Sequence, residues 1–324
     1  MERLLAIGIV PLRRIVLVVV LFMFDGVSRA QPMPTNSPKP IRHGLDHLVI
    51  AVRKLDAAKA AYEKLGFVVT TESTHPFGTS NRLVVFDTNF LELLAITDPD
   101  AKEPTPSVQF IQSLLRMREG AFSLGLTSLN IQEDYAALKQ HGAEPFEPEW
   151  FERHATLPDG SEGTVKAGFT GWFPEQVSLA RLFYAQQGRP QYIWAPGWQR
   201  HVNGAKSLRS ATIVVENPLE YKHYLESMIL SGSVKSNQGR LLATTPSGSI
   251  EVISPDDYLK RYTRANVKLV GQLPCIAAIK IAVSSPEVTR SYLRSKGIPF
   301  VVGKSGALIV LPDNTLGLLI EFVR

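Results

Sequence analysis

Hydrophobic positions along the chain repeat in a fixed order. Leu45-Asp46-His47-Leu48-Val49-Ile50-Ala51-Val52 reads as a strand, and Leu55, Ala58, Tyr62 and Leu65 then recur at helical spacing on one face. Gly66 stops that helix, since a residue without Cβ is the favoured C-terminal cap. Phe67-Val68-Val69, Arg82 to Phe86 and Asn89 to Ile96 are predicted as three further strands. The same order returns near the C-terminus, with a strand over Ile276 to Val283 and a helix over Pro286 to Ser295. A stop at Lys296-Gly297 follows, then strands over Ile298 to Val302, Ala307 to Leu311 and Leu316 to Val323. Aligning Val52 with Val283 brings both helices and both stop glycines into register without a gap. Two more worn copies lie between. One opens at Leu124 to Ile131 with a helix over Asp134 to Gln140. The other opens at Leu208 to Val215, with a helix over Leu219 to Met228 and a closing strand over Ser249 to Ile253.

The copies recur at intervals of roughly 70–85 residues and define an α+β protein of four β-α-β-β-β modules. A single such module leaves one sheet face bare, whereas two modules curl their strands around a concave cup and pack their helices behind it. Four modules therefore predict two cups: a first domain over 43–190 and a second over 191–324, divided near Gly188–Val202.

The first thirty residues are of another kind. Arg3, Arg13 and Arg14 precede an apolar run from Ile15 to Phe24, shorter than the about 20 residues a helical span needs. Ser28 and Ala30 then supply small residues at the −3 and −1 positions of a peptidase site. Residues 1–30 are thus predicted to be a secretory signal cleaved after Ala30, with an uncleaved anchor as the alternative. Arg13-Arg14 matches a twin-arginine signal poorly, so the export route stays open. Residues 31–42, rich in Pro, Ser and Asn, read as a flexible leader. The expected location is periplasmic or secreted, with no membrane attachment after cleavage. The formal charge of +5 includes four Arg against Glu2 and Asp25 in the signal, leaving +3 for the mature chain (5 − 4 + 2). With no basic cluster interleaved with aromatics, nucleic acid is not an expected partner; a small-molecule ligand is, and a homodimer is open. The single cysteine, Cys275, excludes an intramolecular disulfide and sits in an apolar stretch that reads as core.

Candidate chemistry begins at two strands. By the period of two, His47 shares a face with Val49 and Ala51, and Glu92 shares one with Phe90, Leu94 and Ile96. A carboxylate on an apolar face is costly unless a cation or donor meets it. A metal ion accepts both carboxylate oxygen and neutral imidazole nitrogen, while a hydrogen-bonded core histidine is the other reading of His47. His-Glu-x-x-His, Gly-x-Ser-x-Gly, dinucleotide and phosphate-loop signatures do not occur.

A strand opening Leu-Asp-His-Leu-Val-Ile-Ala-Val, a helix, Leu-Gly-Phe and a strand Leu-Glu-Leu resembles the first module of the vicinal oxygen chelate superfamily. His75-Pro76-Phe77-Gly78-Thr79-Ser80-Asn81 and Trp198-Gln199-Arg200-His201-Val202-Asn203-Gly204-Ala205 resemble features of its glyoxalase-like subgroup. The resemblance implies cups of the glyoxalase/bleomycin-resistance type and a divalent metal (Zn, Ni, Mn or Fe) on His47 and Glu92. Glu92 would also serve as a catalytic base, and the chemistry would be of the lyase, isomerase or dioxygenase kind. His75 and Asn81 lie in a loop suited to substrate contacts, and His201 is a reserve ligand that the linker would fold over a cup. Against this, the second module's closing strand Leu179 to Tyr184 has no ligand, and its opening strand offers Thr127 and Ser128 but no His. The third module has Ser210 for His47 but keeps Glu251; the fourth has Ala278 and Glu321. Three readings follow: a metal-assisted enzyme on a small oxygenated substrate, a non-catalytic protein that sequesters a small molecule, and a structural partner in the cell envelope.

Overall fold

A computed structural model describes residues 40–98, 105–177, 179–269 and 272–324. The signal sequence and most of the leader expected for residues 1–42 lie outside them. The described residues form one compact unit. Two sheets of eight strands carry it. The first contains β1 (Leu45–Ala51), β2 (Ser73–Thr74), β3 (Thr79–Val85), β4 (Phe90–Ile96), β5 (Gly120–Thr127), β6 (Glu149–Thr156), β7 (Glu162–Gly171) and β8 (Arg181–Gln187). The second contains β9 (Ala205–Val214), β10 (Ser233–Asn237), β11 (Arg240–Thr245), β12 (Gly248–Ile253), β13 (Cys275–Val283), β14 (Val301–Val302), β15 (Leu308–Val310) and β16 (Leu319–Val323). Spatial orders β2-β3-β4-β1-β5-β8-β7-β6 and β10-β11-β12-β9-β13-β16-β15-β14 are the same order twice. In each sheet two modules meet along an antiparallel pair, β1 with β5 and β9 with β13, and each opening strand lies parallel to its module's closing strand.

The period of two sorts residues between the two faces of each sheet. Leu48, Ile50 and Val52 point to the convex side, where α1 (Leu55–Lys64), α3 (Ile131–Gln140), α4 (Lys222–Met228) and α6 (Pro286–Ser295) contribute Tyr62, Leu138, Leu225 and Leu293 to one core spanning both halves. Val49 and Ala51 point into the first cup. That cup curls nearly into a barrel: the Ser73 hydroxyl donates to the His154 carbonyl and Thr71 Oγ1 to the Thr156 carbonyl (2.8 Å), tying the β2 edge to β6.

Two further helices, α2 (Pro106–Met117) and α5 (Pro255–Arg261), follow β4 and β12 and lie over the concave sides. Their starts are set by Thr105 and Ser254, whose hydroxyls cap Val108 N–H and Asp257 N–H, and by a proline in the first turn. Neither helix was anticipated, because the module pattern has no place for them. Phe67 to Val69 is not a strand: Val68 N–H donates to the His201 ring (2.9 Å) instead of to a ladder, and pairing begins only at Ser73. The opening strand of the second module runs Gly120–Thr127, earlier than expected from Leu124.

Candidate active site

A cavity of about 410 Å³ opens in the first cup. His47, on β1, reaches it with its ring stacked on Phe90 (centroids 4.5 Å apart) and with the edge of Phe183 against it (5.1 Å). Gly125 on the neighbouring strand gives the ring its space, for a Cβ there would lie 2.9 Å from His47 Cε1 and Nδ1. Adjacent strand residues ordinarily face opposite sides. Between Leu45 and His47, however, β1 slips against β5, so two steps on β1 match one on β5. At this irregularity Asp46 Oδ1 lies 2.6 Å from His47 Nδ1. The same carboxylate accepts from Gln187 Nε2 (2.9 Å, Oδ1) and Thr127 Oγ1 (3.3 Å, Oδ2). A carboxylate so placed draws the ring proton to Nδ1 and turns the Nε2 lone pair toward the cavity.

Glu92, on β4, faces that lone pair: Oε2 is 3.6 Å from His47 Nε2. Its other oxygen accepts from Asn81 Nδ2 (2.6 Å) and lies 3.7 Å from His75 Nε2. Asn81 reaches Glu92 diagonally across the β3–β4 ladder, and its own Oδ1 is buried without a partner. His75 follows β2 at a turn that Gly78 closes at φ 91°, and His75 Nδ1 meets Thr79 Oγ1 at 2.9 Å. Burial lowers the His75 imidazole to about 4, so it is neutral at pH 7. Two guanidinium groups share the cavity. Arg153 on β6 is 8 % exposed and makes no ion pair with a described residue; burial lowers its pKa. Arg181 opens β8, against the rings of Phe110 and Phe173.

Four of the five residues singled out from sequence, His47, Glu92, His75 and Asn81, therefore line one cavity. His201 does not, which corrects its place as a reserve ligand. Its Nδ1 accepts from Val68 N–H (2.9 Å) and its Nε2 lies 2.9 Å from the Val85 carbonyl, so both nitrogens are spent fastening the linker to the back of the first sheet. His154, on strand β6, is exposed and paired with Glu162. The local twofold between β1 and β5 explains the incomplete ligand set. It maps His47 onto Ser123 and Val49 onto Gly125; the strand beside Val49 places Glu92, and the strand beside Gly125 places Phe183. A phenyl ring thus stands where a second carboxylate would face the first. Asp46, Arg153, Arg181 and Phe183 were missed. A slip of register, a pairing through two intermediate strands and a twofold between strands leave no mark on local spacing.

The doubled sheet and the paired β-α-β-β-β cups define a vicinal oxygen chelate fold. A family profile described as a glyoxalase-like domain matches residues 45–229, more than half of the sequence, and the chain belongs to that family. A hypothetical protein from Staphylococcus aureus superposes with a TM-score of 0.61 at 13 % identity, covering 86 % of this chain and 98 % of that one. A mutant of 4-hydroxymandelate synthase from Streptomyces coelicolor superposes with a TM-score of 0.51 at 12 % identity, covering 88 % and 92 %. At such identities the likeness is one of fold. No curated protein matches the sequence.

The fold implies a divalent ion, and the donor chemistry tests it. Among the described residues no group of three or more His, Cys, Asp or Glu side chains is placed to share one. His47 Nε2 and Glu92 Oε2 fit as two ligands. Bonds of roughly 2.1 Å put donor atoms about 3–4 Å apart, and these stand at 3.6 Å with a hydrogen-bonded partner behind each.

Proposed function

We propose that the first cup is the active site of a metal-assisted enzyme acting on a small oxygenated organic molecule. One observation carries the reading: an imidazole lone pair and a carboxylate oxygen, both acceptors, face each other across 3.6 Å in an apolar cavity. Two acceptors so opposed repel unless a proton or a cation lies between them. His47 Nε2 and Glu92 Oε2 would hold a divalent ion, leaving its remaining positions to water or to substrate oxygens. Such an ion acts as a Lewis acid toward a bound oxygen. Asp46, held by Gln187 and Thr127, keeps the ring proton on Nδ1. Asn81 fixes one oxygen of Glu92 and so aims the other at the ion; released from the ion, that oxygen would serve as a base for a proton next to a polarised carbonyl. Leu94, Ile111, Phe122 and Phe183 keep water from the bound molecule, which strengthens each of these charges.

A second reading, a small-molecule carrier without catalysis, is favoured by Phe183 in the place of a ligand and by the two-donor set. Metal analysis and calorimetric titration with Zn²⁺, Mn²⁺, Ni²⁺ and Fe²⁺ separate the two. The enzyme reading expects about one ion per chain, lost in His47→Ala and in Glu92→Ala. Protein that takes up no ion at micromolar concentrations, yet still binds apolar molecules, would leave the carrier. We also propose export with cleavage after Ala30. N-terminal sequencing should find Gln31 first, and a periplasmic or culture-supernatant protein that retains Met1 would refute it.

A further inference from the structure

Among the groups lining the cavity, Arg181 is a charged one that the chemistry above does not use. Its guanidinium lies 3.8 Å from the ring centroid of Phe110, 4.5 Å from that of Phe173 and 5.5 Å from that of Phe122. Aromatic faces satisfy a guanidinium from above and below its plane, and leave the five N–H donors along its edge free to act. None of those donors makes a hydrogen bond or ion pair with a described residue, and none is sealed from the cavity. Burial lowers the pKa to about 10, which still leaves the group charged at neutral pH. Its strand alternation fixes where it points: Arg181, Phe183, Ala185 and Gln187 all line the same cavity. The other charged groups there are Glu92, Glu149 and Arg153. Glu92 is engaged by Asn81, Glu149 is exposed, and neither approaches the Arg181 guanidinium within 4.0 Å.

A fixed cation with flat apolar walls and an unfilled planar edge is a receptor for a planar anion. We propose that the cavity takes an organic carboxylate with a flat apolar body, its carboxylate in the plane of the Arg181 guanidinium and its body against the phenylalanines and Leu94. This names the ligand class for the small-molecule reading of the same cavity, and it rests on that reading only in requiring that the cavity be a binding site. It does not require the ion.

The test is calorimetric binding of two probes of one shape, 2-naphthoate and 2-naphthamide, to the full mature protein in the presence of EDTA. The acid should bind at least about tenfold more tightly than the amide, since a desolvated bidentate ion pair adds that much over a neutral contact. In Arg181→Met, which keeps the stacked apolar stem, the two probes should bind alike, with amide affinity within about threefold of the wild type. Arg181→Lys, with a charge but no fork, should fall between them. Equal binding of acid and amide by the wild-type protein overturns the proposal and needs no variant. So does a preference that survives Arg181→Met, or one lost in Arg153→Met but kept in Arg181→Met. Failure of the metal reading is read separately. His47→Ala should lose the ion and keep the preference for the acid; a preference for the acid that disappears in His47→Ala would mean that Arg181 alone does not discriminate the charge, and overturns this proposal.

Discussion

The two cups are built from the same strand order and have opposite interiors. In the first, residues 97–105 separate β4 from α2, and the helix lies at the rim with Phe110 and Ile111 beside an open cavity. In the second, only Ser254 separates β12 from α5, and the chain drops at once across the strand ends. Tyr258 and Tyr262 then fill the hollow with Val214, Ile253, Ala278 and Leu319. The two glutamates in the positions of Glu92 are both occupied: Arg261 forks onto Glu251 (2.5 and 3.3 Å), and the Tyr262 hydroxyl donates to Glu321 (2.5 Å). Cys275 is buried in the same core, and burial raises its thiol to about 11, in keeping with a structural role. A duplicated fold has thus been divided between a half whose polar groups line an open cavity and a half that spends the same positions on packing. The length of one connection separates them.

The largest effect expected to sharpen this contrast is on stability. Tyr258 is 1 % exposed, and Tyr258→Ala should cost about 3–5 kcal/mol, as for other large aromatic side chains removed from a packed core. Phe169→Ala, at the wall of the open cavity, should cost about half as much, because the cavity already denies that ring part of its contacts. Urea unfolding of the two variants measures both. Equal losses would mean that the first cup is packed as tightly as the second and that its cavity closes in solution.

The seam between the halves supplies the next test. Burial lowers His201 to about 4, against about 6.5 for the free side chain, while its Nδ1 accepts from Val68 N–H. At pH 7 the ring is neutral in both folded and unfolded chains, so nothing is lost. Below about 6.5 the unfolded chain takes up a proton that the folded one refuses until about pH 4, so stability falls across that window as the pH falls. Linkage puts the loss near 2 kcal/mol at pH 5. The difference in unfolding free energy between pH 7 and pH 5 should shrink by that amount in His201→Gln. An unchanged difference would place the acid-sensitive group elsewhere.

Much of this architecture was legible because it is written in short-range patterns. The module repeat, the helix over Pro286–Ser295 and the alternation that aims His47 and Glu92 inward all follow from periods of two and 3.6. The site was legible only as far as residues on the same few strands. His75 and Asn81 came from the turn chemistry beside β3, but Asp46 required a slip in the β1–β5 ladder, and Arg153 required the curvature that brings the β6 edge around to β2. His201 shows the converse error. A histidine in a linker was read as free to fold over a cup, when the backbone groups of Val68 and Val85 needed partners and it supplied both.

Phe183 provides a test of intermediate size. If the twofold within the first cup is the reason the ligand set is short, Phe183→Glu should restore a carboxylate opposite Glu92. Zn²⁺ binding should then tighten by at least about tenfold, the lower end of what changes around a bound metal produce. The measurement is calorimetric, against the wild type and against Ala278→Glu as a control in the sealed cup, where no gain is expected. A Phe183→Glu protein that folds and binds zinc no better would separate strand equivalence from ligand equivalence.

The smallest effect distinguishes what the equivalent glutamates are for. Glu251 and Arg261 keep side-chain exposures of 25 % and 24 %, so solvent screens their pair, and Glu251→Gln should cost no more than about 1 kcal/mol. Glu92, 12 % exposed at its side chain, has one donor on one oxygen and an acceptor facing the other. Glu92→Gln keeps an oxygen for Asn81 and removes the opposed charge, so its unfolding free energy should equal or slightly exceed that of the wild type. A carboxylate whose neutral replacement stabilises the fold is retained for something other than the fold. If Glu92→Gln instead destabilises the protein more than Glu251→Gln does, the first cup uses its glutamate as the second does, and the contrast between the halves rests on shape alone.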